Sequence, residues 1–455
     1  MNPEFRRNLI LHLSPHRLMA MPTVFGAFVL VAYTLQDRSF DWGTGLVAEF
    51  AYYFFTFLWG TKLAAESIIG EVVDGTWDQQ RMSAMRPWRM AWGKLFGATV
   101  YVWYGNAVAL AVYAASHAAR VETGTLLAAL AVMVAAGILA HAVSMMVSLI
   151  AVQRRRSFGR VQVFSYHLLG LICGIPAVWT RLGGGSALDV TDWYGTLFPL
   201  VEFTALALIA LALWSMVGVW QLLRIELQMP NPPWVWLGFV VFSMIFFGGF
   251  VYIPPSLERL VLAVPGTPFA AALVSGACIY IAVLSEPKDS VRFRRLAHFA
   301  GTGNGRRLMH IFPRALLALP LFLIAGIVTM VLSAPAETAL VGDLANLLGA
   351  IAAAMLFVIR DLGFMYFMSF GRPDGQGDSK AFVYILLSSL PFCSPWAPAT
   401  HWRCSFPIGG RTRCSRSSAP AWKRPPCGRC CSNAGSASPG NRPNADTVPK
   451  IEFQF

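Results

Sequence analysis

Charge is scarce in this chain: Asp, Glu, Lys and Arg make up 13% of 455 residues, against about a quarter in soluble proteins. No phosphate-binding loop of the form G-x-x-x-x-G-K-[ST] occurs, so any ATP-driven role requires an ATPase on another chain. The nearest glycine cluster, Gly301 to Gly305, runs into Arg306 and Arg307 and reads as a flexible connector. HExxH and GxSxG are missing. So is a pair of carboxylates inside an apolar stretch, which a membrane hydrolase would need. The sequence therefore points away from an enzyme, with no catalytic residue, no metal site and no cofactor of its own. The N-terminus, MNPEFRRNLILHLSPHRLMAMP, has no short apolar core ending in a small-residue cleavage site, so no removable signal peptide is expected.

Apolar residues are what the chain has instead: 56% of the total, with a mean hydropathy of +0.54. They come in blocks long enough to cross a hydrocarbon layer of roughly 30 Å as helices. In lipid each backbone N–H and C=O must find its partner internally, which uninterrupted helices achieve. A transmembrane barrel would show short alternating segments. The expected fold is an all-α, polytopic helical bundle. Spans are predicted at 18–35, 45–65, 97–117, 124–151, 161–179, 197–222, 234–253, 268–284, 315–332, 344–360 and 381–392, about eleven in all.

The net charge of +13 reads as topology rather than as a nucleic-acid surface, because Lys and Arg accumulate on the cytoplasmic side. The N-terminus carries Arg6, Arg7 and Arg17 against Glu4. Residues 153–160, QRRRSFGR, hold four arginines and no acid. Residues 285–314 hold Lys288, Arg292, Arg294, Arg295, Arg306, Arg307 and Arg314 against Glu286 and Asp289. Loops near 36–44, 118–123, 180–196 and 254–264 carry one Arg each, and 333–343 none. With the N-terminus inside, every strongly basic loop falls on the cytoplasmic side, the pattern of a multi-pass inner-membrane protein. Trp42, Trp179, Trp193, Trp234 and Trp236 lie near span ends, where amphipathic rings anchor in the headgroup layer.

One connector is too long for a simple turn: Glu66 to Leu95, ESIIGEVVDGTWDQQRMSAMRPWRMAWGKL. Ile68, Ile69, Val72 and Val73 share a helical face. Asp74-Gly75 is a turn signal, Thr76 can cap a short helix beginning Trp77-Asp78, and Pro87 marks a further break. Such interfacial helices either anchor their neighbours passively or present charges to a soluble partner. Glu71, Asp74 and Asp78 with Arg81, Arg86 and Arg89 make a mixed-charge surface of the second kind.

The order Glu71, Gly75, Thr76, Trp77, Gln80, Pro87, Trp88, Gly93, Lys94 resembles the signature of ABC-2-type permeases, the membrane subunits of bacterial ATP-driven exporters. The family's second proline stands as Ala84 here. The resemblance implies a six-helix core over about residues 18–225. It also implies that residues 66–95 form a coupling region meeting a separate ATPase subunit, with Glu71, Asp74, Gly75, Thr76, Trp77, Gln80, Arg86, Pro87, Trp88 and Lys94 as coupling residues. ATP would then be used by a dimer of that partner, and a homodimer of the permease is among the assemblies the resemblance implies.

Ionisable groups inside spans are costly. Glu49, His141, His167 and Glu202 could line a translocation path or serve an ion-coupled carrier; His141 and His167 could equally join helices by hydrogen bonds. Lys62, near a span end, can snorkel to the interface. Arg360-Asp361 reads as an interfacial ion pair. Two groups of spans, 1–228 and 229–392, share a rhythm of two spans, a long segment and further spans, as a parallel repeat would. Such a repeat demands a twelfth span. A single dimerising six-helix core with appended helices is the alternative. Residues 393–455 hold six of the eight cysteines, with many Arg, Ser and Pro and no apolar block, and read as a disordered, frame-shifted tail. Cys427, Cys430 and Cys431 with His401 lack a second spaced pair, so they do not read as a zinc site.

Overall fold

The computed structural model describes residues 2–35, 42–83, 85–153, 160–182, 190–231, 233–250, 266–286, 288, 290–333, 344–370, 383 and 385. The chain divides after Cys393, and all of these residues belong to the first unit. The 393–455 tail and most of the expected 381–392 span lie outside the described residues, as does most of the QRRRSFGR loop.

The described chain is an all-α multi-pass membrane protein. It opens with α1 (Pro3–His12), started by Asn2, whose side chain accepts from the Glu4 N–H at 3.1 Å, and by Pro3 in the first turn. Next comes α2 (Pro15–Leu35), with few buried residues and a lipid-facing surface of Met19, Val24, Phe28, Val31 and Leu35. The second span is one continuous helical run: α3 (Trp42–Tyr53), a π-helical stretch (Phe54–Gly60) and α4 (Thr61–Val73). Two short helices follow, α5 (Trp77–Arg81) and α6 (Pro87–Ala98), then α7 (Val100–His117). α6 and α7 meet at Thr99 with a bend of 61°. The Thr99 hydroxyl donates to the Leu95 carbonyl at 2.7 Å there, a pattern that bends helices. α7 thus begins three residues later than the expected span at 97–117.

At the centre of the first group stands α8 (Thr123–Gln153), 31 residues long. It packs against α4, α9 (Arg160–Leu182) and α10 (Leu200–Glu226). Its small residues Ala129, Ala135, Ala136, Ala140 and Ala142 are buried, and close helix approach in a membrane depends on such residues. The second group comprises α11 (Trp234–Gly248), α12 (Gly266–Ser285), α13 (Ser290–Gly301), α14 (Gly305–Ile311), α15 (Arg314–Ser333) and α16 (Leu344–Phe370). Its core of Val240, Ile279, Val283, Ala318, Phe322 and Met365 contains no residue of the first group. The groups meet through aromatic rings, with Trp214 5.7 Å from Phe239 and Phe203 stacked on Phe246 at 6.4 Å.

Among the described residues six helices are long and apolar enough to cross a membrane, seven if the bent pair α6–α7 is one span. This is fewer than the sequence count, for local reasons. A π-stretch interrupts the second span, and α9 and α11 offer only the shorter apolar runs Tyr166–Val178 and Trp234–Gly248.

One element departs from the all-α expectation. Val190–Trp193 (β1) and Thr196–Pro199 (β2) pair antiparallel around Tyr194-Gly195, both at positive φ (52° and 74°), the backbone that a two-residue hairpin turn requires. The hairpin serves the end of α11, whose last carbonyls have no helical partner. Trp193 Nε1 donates to Phe246 O at 3.0 Å, the Tyr194 hydroxyl to Ile245 O at 2.8 Å, and the Tyr194 N–H to Gly249 O at 2.9 Å. Trp193 therefore caps a helix in addition to sitting near a span end.

Candidate functional site

The 66–95 segment is built from one turn and one clamp. α4 ends on Gly75 at φ +69°. The Thr76 N–H returns to Glu71 O at 2.9 Å and the Gly75 N–H to Val72 O at 3.3 Å, the paired bonds of a left-handed helix terminus. Thr76 occupies the first position before α5, but its hydroxyl donates back to Glu71 O at 3.3 Å. It finishes α4 rather than capping α5 with its side chain, which corrects the expected cap. Pro87 stands at the first position of α6, where its missing N–H costs nothing.

The clamp joins the two ends of the segment. Lys94, 1% exposed, bonds through Nζ to the Glu71 carboxylate and, at 3.3 Å, to Glu4 Oε1. Arg7 reaches both acids, at 2.9 Å to Glu4 and 2.6 Å to Glu71, and Gln80 Nε2 donates to Glu71 Oε1 at 2.6 Å. Two carboxylates thus face two cations, a balanced set in a partly buried site. The Trp77 ring lies 5.3 Å from the Lys94 ammonium, and its Nε1 donates to Glu226 Oε1 at 3.3 Å. Arg81 reaches the same Glu226 oxygen at 3.7 Å, which ties α5 to the end of α10.

Glu4, Arg7 and all of α1 are partners that the sequence reading missed. α1 lies on α6 because Gly93 and Gly97 leave room: a Cβ at Gly93 would fall 2.8 Å from Glu4 Cβ, and one at Gly97 2.8 Å from Asn8 Nδ2. Asn2 Nδ2 donates to Arg89 O at 2.5 Å, and the Phe5 and Trp92 rings meet at 5.2 Å. The signal available in the sequence was Asn2-Pro3-Glu4, a helix-start pattern. Between α1, α4 and α6 lies a cavity of about 240 Å³ lined by Glu4, Asn8, His12, Glu66, Glu71 and Lys94 among others. Burial, and secondarily Arg17, hold the His12 imidazole below its usual pKa.

The ten coupling residues divide accordingly. Asp74, Gly75, Thr76, Arg86 and Trp88 are exposed; Trp77, Gln80 and Lys94 are buried, with Glu71 and Pro87 between. The mixed-charge surface therefore lacks Glu71, which turns inward, and consists of Asp74, Asp78, Arg86 and Arg89 around half-buried Arg81.

The four membrane residues are held separately. His141, fully buried, meets the Thr56 carbonyl through Nε2 at 3.0 Å. Thr56 lies in the π-stretch, where its carbonyl takes this contact from outside the helix, and Gly60 gives the ring its space. The hydrogen-bonding role is thus the one its geometry displays. Glu202 accepts from Thr125 Oγ1 at 3.0 Å, joining α8 to α10. His167 stands edge-on to Phe164 at 4.7 Å. Glu49 is buried on α3, one turn beyond Gly45, which packs on the His117 ring. Elsewhere Lys62 lies 3.9 Å from Glu66, and Arg360 bonds Asp361 at 2.7 Å. Among the described residues no group of three or more His, Cys, Asp or Glu is placed to hold a metal ion.

Comparison with family models, with curated proteins and with solved structures gives no match to this chain.

Proposed function

We propose that the chain is the permease subunit of an ATP-binding-cassette exporter, a multi-pass inner-membrane protein that moves a substrate when a separate ATPase dimer cycles. The observation that carries this reading is the Glu71–Lys94 clamp. It closes residues 71–94 into a braced corner, tied to α1 through Glu4 and to α10 through Glu226. A permease driven from outside needs such a projection, because a flexible loop would absorb the motion it receives. The partner can bias two membrane conformations only through contacts that differ between them. The exposed residues Asp74, Asp78, Arg86, Trp88 and Arg89 offer those contacts, and the clamp carries the load to α4 and α6. In this reading the chain has eleven of twelve spans, starts in the cytoplasm, holds no cofactor, and works alone or as a homodimer. Nucleic acid has no part in it.

The test is co-purification of a P-loop ATPase with the tagged chain, followed by transport in vesicles. Exposed-surface variants D78R and R89E are expected to lower ATPase-coupled transport at least tenfold while the chain stays folded. Transport that persists under ATP depletion, with no ATPase partner, overturns the proposal. Collapse of transport on dissipating a proton gradient would instead establish the ion-coupled carrier using Glu49, His141, His167 and Glu202.

A further inference from the structure

The stretch between α12 and α15 forms a second corner, and its charge differs from that of the first. Residues 290–311 contain five arginines and no acid. α13 ends on Gly303 at φ +69°, with the Asn304 N–H bonded to Phe299 O at 3.2 Å. Asn304 then starts α14 by accepting from the Arg307 N–H at 3.4 Å. The Gly301–Gly305 cluster is therefore an ordered helix corner, which corrects its reading as a flexible connector.

This corner is pinned at the ends of three membrane-length helices. Glu286, just past α12, accepts from Arg292 Nη2 at 3.0 Å and from the backbone N–H of Arg314, the first residue of α15, at 3.0 Å. Phe293 meets Tyr366, near the end of α16, at 5.4 Å. Arg292, Phe293, Leu296 and Phe299 turn towards the protein, whereas Arg294, Arg295 and Arg307 are exposed. The Arg307 guanidinium lies 6.0 Å over the Phe299 ring, one helical turn after Arg295. None of the three exposed arginines has a carboxylate within salt-bridge distance among the described residues.

We infer that the face carrying Arg294, Arg295 and Arg307 binds the phosphate headgroups of anionic phospholipid. Its depth, set by the three helix ends, is that of the headgroup layer. A protein-docking surface such as residues 74–89 exposes both signs of charge, whereas this one exposes only cations, which fit a layer of phosphates. Arg292 is already committed to Glu286 and plays no part in it.

The full chain, purified in neutral detergent, is titrated with phosphatidylglycerol or phosphatidylcholine of identical acyl chains, and bound lipid is counted by native mass spectrometry. Phosphatidylglycerol is expected to bind on the order of a hundredfold tighter, about fivefold for each of the three arginines, and R294Q/R295Q/R307Q to remove most of that preference. Equal binding of the two lipids, a preference unchanged in the triple variant, or displacement by inorganic phosphate at equal concentration overturns the inference. Should the variant misfold, photoactivatable phosphatidylglycerol is crosslinked to the unaltered chain and the adducts mapped. Adducts within 290–311 support the site, and adducts confined to other segments refute it.

Discussion

Replacing Lys94 with Met keeps the length of the side chain and removes its charge. Lys94 is 1% exposed and sits between the carboxylates of Glu4 and Glu71, whose side chains are 5% and 14% exposed. Deleting one partner of a buried ionic set costs about 3–5 kcal/mol, because the other charges stay buried. Here Arg7 still reaches both acids, and Gln80 still donates to Glu71, which places the cost near the lower end, about 3 kcal/mol. At a factor of ten per 1.4 kcal/mol, local opening of the corner rises about 150-fold. Hydrogen exchange on the purified chain reads this directly: amides of residues 74–97 lose protection in K94M while those of α8 and α10 keep theirs. The triple variant E4Q/E71Q/K94M removes the buried charges together and is expected to recover most of the loss, since Arg7 is 45% exposed and can be hydrated. Wild-type exchange in K94M, or a triple variant as labile as the single, would refute the argument that charge burial governs this corner.

Gly75→Ala is expected to cost about 1–2 kcal/mol, the penalty of a left-handed backbone, since no atom lies within 4 Å of the added Cβ; G75N should recover part of it in thermal unfolding. Gly60→Ala places a Cβ 2.1 Å from His141 Nε2, so the ring must move and its hydrogen bond to Thr56 O is lost. A loss of about 2–3 kcal/mol is expected in the same assay, whereas G26A, with nothing within 4 Å, should be neutral or slightly stabilising. Because the His12 pKa is lowered in the folded chain, the unfolded chain binds its proton more readily. Packing of α1 is therefore complete above about pH 6.5 and weakens below it. Fluorescence of Trp92 followed from pH 8 to 5 should show that transition, and H12Q should flatten it.

The helical membrane class was legible because long apolar runs with few charges have one stable solution in lipid. Gly75 and Pro87 were legible as breaks for a similar reason: each imposes a local backbone geometry that few residues tolerate. The clamp was only half legible. Glu71 and Lys94 stood out in the motif, but their partners Glu4 and Arg7 lie on a ten-residue helix without an apolar stripe, and proximity across about ninety residues leaves no local trace. The π-stretch had no signal, since Phe54–Gly60 reads as ordinary apolar helix and its contact, His141, lies on α8, about eighty-five residues on. The 190–199 hairpin did carry one, in Tyr194-Gly195 and the alternation of β1. Its strands of four residues were too short to stand out from a loop.

The two corners share a physical device that explains why both stay closed. A helix ends with unpaired carbonyls and a partial negative charge, so an acid in its last turn or just beyond is unfavourable by itself. Glu71 lies in the last turn of α4, and Glu286 directly follows α12. Neither acid finds a cation in its own helix end; Lys94 and Arg292 come from beyond the turn. The local disadvantage therefore favours tertiary closure: each acid gains a cation when the following chain folds back onto the helix end, and Glu71 gains a second from Arg7 of α1. Glycine at positive φ turns the chain at Gly75 ahead of Lys94, whereas Gly303 comes after Arg292 and turns the chain ahead of the Arg314 N–H that reaches Glu286. In the first corner the returning cation is buried and its neighbours expose both signs of charge, as the proposed docking of an ATPase requires. In the second the acid is spent on Arg292 and the Arg314 backbone, and Arg294, Arg295 and Arg307 stay exposed, as the inferred lipid site requires.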